Sequence, residues 1–240
     1  MPVYTRMSRL SRAKRLRLLE HFVAGTTARA AAALVGVNRN TVNRFYLVLR
    51  QIIAEEMETA APLHGEVEVD ESYFGGKRKG KRGRGAAGKV PVFGLLKRGG
   101  RVYTLPIPGA KAKTLMPILE SRVVPDSIVY TDSFANCDVI DVSTFHHRRI
   151  DHAKAFAKGK GNERHINGIE NFWNQAKRHL RRQAVFRENT STTSSGECEW
   201  RFNGGNHKEL HRGLLGWAGG YLSRAAPRPL LFCSGEIMIG

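Results

Sequence analysis

Apolar residues recur at helical spacing up to about residue 58, and from residue 67 onward the pattern switches to strand-like alternation interrupted by further helical segments. In the first part, Ser11 is placed to cap a helix whose apolar positions Leu16, Leu18, Leu19, Phe22 and Val23 share one side, and Gly25 ends it. Thr26 or Thr27 starts a short second helix, ARAAAALV, closed by a tight turn at Gly36. Asn38 caps a third, RNTVNRFYLVLRQIIAEE, which is expected to bury Val42, Phe45, Leu47, Leu49 and Ile53 while Arg39, Asn40, Asn43 and Arg44 stand near its start. Two helices joined by a glycine turn, the second opening on polar side chains, make a helix-turn-helix pattern. Those four residues are then candidate contacts to base edges or phosphates in a major groove. The competing reading is a small helical bundle used for dimerisation.

Residues 59–66, TAAPLHGE, read as a linker. Beyond it, Val67, Val69 and Glu71 alternate around Asp70; VPVFGLLKR and RVYTLPI form a hairpin about Arg98-Gly99-Gly100-Arg101. AKTLMPILESRVV is a helix, DSIVYTDS a strand ending at Asp132, DVSTFHHRRI a further strand, and a long helix runs from about His165 to Leu180. Consecutive strands followed by a crossover predict an α/β fold with a mixed sheet flanked by helices, preceded by an all-α unit. The expected division is residues 1–58, linker 59–66, a second domain over 67–217 and a tail, 218–240, without an assigned role.

Charge changes this picture most. Thirty-nine Lys and Arg against 21 Asp and Glu leave a formal charge of +18, a field that gathers polyanions, so nucleic acid is the expected partner. No apolar run reaches the roughly 20 residues of a spanning helix, and the first residues lack a signal-peptide core, so no membrane role and a cytoplasmic location are expected. Cys137, Cys198 and Cys233 are too scattered for a zinc ribbon or a disulfide framework. The basic residues concentrate directly after the first strand. Lys77, Arg78, Lys79, Lys81, Arg82, Arg84 and Lys89 are spaced by glycines, so that the backbone can follow a row of phosphates.

Asp70 and Asp132 each close a strand, which permits their carboxylates to meet on neighbouring strands. Glu170 lies near the start of the long helix, where Ile166, Ile169 and Trp173 mark the buried stripe and Lys177 follows two turns after the acid. Three carboxylates without His or Cys suit hard cations such as Mg²⁺ or Mn²⁺. Two such ions about 3.5–4 Å apart support in-line phosphoryl displacement.

The segments VEVDESYFGGKRKGKRGRGAAGK, IVYTDS, HHRRIDH, HINGIENFWNQAKRHL and ECEWRFN, in that order, resemble the DDE-type insertion-sequence transposases of the ISXO-like group over roughly residues 8–217. The resemblance implies a ribonuclease-H-like catalytic domain and a two-metal site of Asp70, Asp132 and Glu170, with Lys177 as the basic residue after the third acid. It also implies cleavage and strand transfer of double-stranded DNA bounded by terminal inverted repeats, and action as a homo-oligomer. Asn167, one turn before Glu170, is the alternative third ligand; an amide supplies no third negative charge, which favours Glu170. His146, His147 and His165 are either structural or DNA contacts. The alternative function is a catalytically impaired or domesticated DNA-binding protein derived from such a transposase.

One tract departs from the pattern. QAVFRENTSTTSSG, residues 183–196, breaks the helical rhythm just before ECEWRFN. Reading the third base of each codon with the first two of the next permits Gly-Ile-Pro-Arg-Glu-His-Phe-His-His-Phe-Leu, with Phe, Phe and Leu at helical spacing. Two compensating frameshifts around this tract are therefore expected, with activity of the chain in question.

Overall fold

The helical opening follows its caps. In the computed structural model, which describes residues 10–75, 89–132, 145–150, 166–183 and 188–222, α1 (Arg12–Val23) is capped by Ser11 and α2 (Ala28–Val35) by Thr27. The second helix is terminated by Gly36 in the left-handed region, φ 65°, and α3 (Arg39–Glu58) is capped by Asn38. The buried side of α3 is wider than its spacing predicted. Tyr46, Val48 and Ile52 join Val42, Phe45, Leu49 and Ile53, whereas Leu47 is only half-buried. Likewise in α1, Leu16 is half-buried and Arg15 is the buried residue, its guanidinium donating to the carbonyls of Leu10, Tyr221 and Leu222.

Both departures have one cause: helices from the other end of the chain close over α1–α3. Strands β1 (Glu66–Gly75), β2 (Lys89–Lys97) and β3 (Val102–Pro106) are followed by α4 (Ala112–Arg122), β4 (Ile128–Asp132), β5 (His146–Ile150) and α5 (Asn167–Gln183). A 3₁₀ turn at Glu188–Thr190 leads into α6 (Ser191–Asn203), then α7 (His207–Trp217) and α8 (Gly219–Leu222). Trp200 of α6, Leu210 and Leu214 of α7, and Ala218 and Leu222 beyond them complete the core around Leu18, Phe22, Phe45 and Leu49. The linker is tied down too: Leu63 is buried and exchanges backbone hydrogen bonds with Arg122 and Val124.

The sheet runs β3-β2-β1-β4-β5, with β1–β2 and β2–β3 antiparallel and β1–β4 and β4–β5 parallel. This mixed sheet flanked by helices is the α/β arrangement the pattern predicted. Alternation along β1 divides its faces. Val67 and Val69 pack with Leu115 and Leu119 of α4, while the opposite face, through Val92, Leu96 and Tyr130, packs on Ile169, Phe172 and Trp173 of α5 and Cys198 of α6. The sheet is thus the middle layer between α4 and the α5–α6 pair.

Candidate active site

Asp70 belongs to the α5-facing side of β1. The parallel pairing of β1 with β4 sets Val69 beside Thr131, so the next residues in each strand, Asp70 and Asp132, occupy matching backbone positions on neighbouring strands. Asp132 itself pairs with Ile150 of β5. Glu170 lies in the first turn of α5 and is exposed.

Local packing fixes the approach of α5 to Asp70. Gly94 of β2 is the register partner of Asp70, and a Cβ built there would lie 2.5 Å from the Trp173 indole and 3.0 Å from Ile169. Glycine therefore leaves the gap through which Trp173 reaches the sheet. The indole Nε1–H donates to Asp70 Oδ2 at 3.1 Å, and the Glu71 backbone N–H donates to Oδ1 at 2.8 Å. Phe74 and Phe172 pack on the Trp173 ring, with centroids 5.8 and 4.9 Å away.

Two hydrogen bonds do not offset the environment of this carboxyl. Burial, reinforced by the neighbouring Glu71 carboxylate and by Glu170, pushes the Asp70 pKa up to about 7. A half-buried acid crowded by other acids is where a cation binds most favourably, and oxygen donors of this kind match Mg²⁺ or Mn²⁺. Among the described residues, no three His, Cys, Asp or Glu side chains converge as a ready-made cation site.

Lys177 is exposed, its Nζ 6.0 Å from the centre of the Phe74 ring at the end of β1. Asn167 is the first residue of α5 and is exposed. Of the basic run, Lys77, Arg78, Lys79, Lys81, Arg82 and Arg84 lie outside the described residues, as does His165; Lys89 opens β2 as the partner of Gly75 rather than standing in the loop. Arg39, Asn40, Asn43 and Arg44 are all exposed at the start of α3. His147 bonds through Nε2 to Thr131 Oγ1 at 2.8 Å, joining β4 to β5 beside Asp132.

The final motif supplies anchors. Glu197 of α6 is fully buried and meets Arg50 of α3 at 2.6 Å, His179 of α5 at 2.9 Å and Arg201 at 3.0 Å. Burial alone would raise its pKa, but Arg50, the His179 hydrogen bond and Arg201 together hold the carboxyl well below the usual range. Glu199 accepts from the backbone N–H and hydroxyl of Thr104 in β3, and burial pushes its carboxyl up to about 8. The Asn203 side chain clasps the backbone N–H and C=O of Val102, each at 2.8 Å.

Residues 62–203 match the ISXO2-like transposase domain, more than half of the chain. The chain belongs to the ISXO2-like transposase family. This family member is 50% identical over 103 residues to an uncharacterized transposase-like protein of Haemophilus influenzae, spanning 43% of this chain and 81% of that protein. Among solved structures, the Mos1 strand transfer complex aligns over 90% of this transposase-family chain and 79% of its own, at 13% identity and a TM-score of 0.24. The Mos1 paired-end complex with the left transposon end aligns over 94% and 82%, at 11% identity and a TM-score of 0.26. Those scores are too low to establish a common arrangement. Among the described residues of this family member, no helix is long and apolar enough to cross a membrane.

Proposed function

We propose that this chain is a DNA transposase that cuts and joins the ends of an insertion sequence at Asp70, Asp132 and Glu170. The observation that carries the proposal is the pairing of Val69 of β1 with Thr131 of β4, the residues directly before Asp70 and Asp132, together with Glu170 in the first turn of the helix whose Trp173 bonds to Asp70. The strand order β3-β2-β1-β4-β5, antiparallel on one side of β1 and parallel on the other, supports a ribonuclease-H-like domain. The three acids would hold two Mg²⁺ or Mn²⁺ ions, which supply activation of a water or 3′-hydroxyl and stabilisation of the leaving oxygen. The protein's share is positional. Trp173 fixes one oxygen of Asp70 and shields it from water, Lys177 supplies a cation near the same edge for backbone phosphate, and the exposed Arg39, Asn40, Asn43 and Arg44 read or grip duplex DNA in the manner of a recognition helix. Double-stranded DNA with terminal inverted repeats is the substrate, and joining two ends calls for more than one copy of the chain.

The test uses labelled duplexes cut from the DNA flanking the gene. Mg²⁺-dependent nicking at the repeat boundary, lost in Asp132→Ala while duplex binding persists, is the expected result; equal nicking by the variant removes these acids from the chemistry. A second reading, a DNA-binding derivative without catalysis, is favoured by one observation. The first turns of α6 bury Ser191, Ser194 and Ser195, and Ser194 Oγ has no hydrogen-bond partner among the described residues. Specific binding of the repeats with no nicking by the unaltered chain would establish that reading.

A further inference from the structure

Glu68 lies on β1 two residues before Asp70, and therefore on the same face of the strand. Only 2% of it is exposed, yet it is not a stray charge. Its Oε2 accepts the backbone N–H of Ile169 at 2.9 Å, and its Oε1 accepts from Arg98 Nε at 3.1 Å. Arg98 in turn sits over the ring of Tyr130, two residues before Asp132, with its guanidinium carbon 3.7 Å from the ring centre. Ile169 is in the first turn of α5, where backbone N–H groups have no partner within the helix, and the residue that follows is Glu170. The neighbouring Gly168 leaves room for this contact, since a Cβ there would lie 2.8 Å from Glu68 Oε2.

We propose that Glu68 is the positioning residue of the metal site: by capping α5 from within the sheet, it sets the height at which Glu170 is presented to Asp70. The inference rests on the site assignment given above. An ordinary cap comes from the residue just before its own helix; this one comes from the strand that carries the first acid. To the packing of Trp173 on Gly94, Glu68 adds a tie of set length between the strand of the first acid and the first turn of α5. Chain length, not charge, is the critical property, which separates two conservative substitutions. Glu68→Gln keeps an acceptor oxygen at the same reach. Glu68→Asp keeps the charge and retracts it by one methylene.

The experiment titrates Mn²⁺ alone into the full chain, following free Mn²⁺ by electron paramagnetic resonance, at a temperature where thermal scans show every variant folded. Glu68→Gln is expected to bind Mn²⁺ within about threefold of the unaltered chain, and Glu68→Asp to bind it about 10- to 100-fold more weakly, the usual cost of losing a partner that orients a ligand. In the metal-free protein, the Ile169 amide should exchange with deuterium at least tenfold faster in Glu68→Asp and at the unaltered rate in Glu68→Gln. Should Glu68→Asp fail to fold, Gly168→Ala, which intrudes on the same carboxylate, is expected to show the same weakened Mn²⁺ binding. Mn²⁺ binding by Glu68→Asp equal to that of the unaltered chain, or lost equally in Glu68→Gln, overturns the positioning role. Asp70→Ala is the separate control: if it binds Mn²⁺ undiminished, the site assignment falls and the role of Glu68 falls with it.

Discussion

Helices α5 and α6 lie side by side on the same face of the sheet and are held there by opposite means. The buried side of α5 is Ile169, Phe172, Trp173, Ala176 and Leu180, an apolar stripe capable of fixing the helix by area alone. The first two turns of α6 bury Ser191, Ser194, Ser195 and Gly196, which contribute almost no apolar area, whereas its second half carries the buried Glu197, Glu199 and Trp200 and the Asn203 clasp. The lesson is that one helix rests on apolar area while its neighbour, on the same face, draws on buried polar ties. The contrast is what the expected pair of compensating frameshifts predicts. The Phe, Phe and Leu permitted by the shifted reading take the last two bases of their codons from the first two of Ser191, Ser194 and Ser195, the three serines that the fold buries.

The sharpest way to test the α5 side is Glu170→Gln. Because the residue is exposed, the melting temperature should hold, while Mg²⁺-dependent nicking should fall on the order of a thousandfold, the several kcal/mol that a metal centre contributes. Trp173→Ala should damage the support itself, costing about 4 kcal/mol of stability in chemical denaturation. An unchanged midpoint would erase the distinction between the two helices. The α6 side predicts a gain: Ser191→Phe, Ser194→Phe and Ser195→Leu together should raise stability by about 3 kcal/mol, or roughly 10 °C, from restored apolar burial. Resequencing the codons for residues 183–196 checks the same point without making protein. A stable fall in melting temperature for the triple variant would mean that the serines are the natural packing.

Smaller effects probe the gap beneath Trp173. Gly94→Ala should cost about 2 kcal/mol by overpacking against the indole, with nicking reduced more than stability because α5 is pushed off Asp70. Least in size is a pH effect. Since the folded Asp70 pKa is raised to about 7, its ionisation opposes folding, so the metal-free chain should lose stability as pH rises from about 4 to 7 and lose no more above that. Asp70→Asn should therefore match the unaltered chain near pH 4 and melt a few degrees higher at pH 8, a difference that added Mg²⁺ should shrink; this is read from melting curves across pH.

Helix limits at Ser11, Thr27, Gly36 and Asn38 were legible because caps act over three or four residues, and the strands themselves, though not their order in the sheet, followed from local alternation. Asp132 was legible as a strand end and Glu170 as a helix start, but Asp70, expected to close its strand, lies midway along β1, because pairing with β2 carries the strand on to Gly75. Glu68 was not legible, since a carboxylate at an alternating position in a strand reads as a solvent-facing residue. Only the arrival of Ile169, 101 residues later, makes it a cap. Gly94 likewise gives no local signal, because what requires it is an indole from α5. The pair Arg50 and Glu197, 147 residues apart, is invisible for the same reason, and so is the width of the buried side of α3.

The shared core of α1–α3 with Trp200, Leu210 and Leu214 carries a consequence for synthesis. During translation the first three helices emerge with Phe22, Phe45 and Leu49 lacking their covers, and the covers leave the ribosome only after the whole sheet has been made. The helices that open the chain are thus the last to be finished, and a nascent chain halted before α6 presents an uncovered apolar surface to chaperones and proteases.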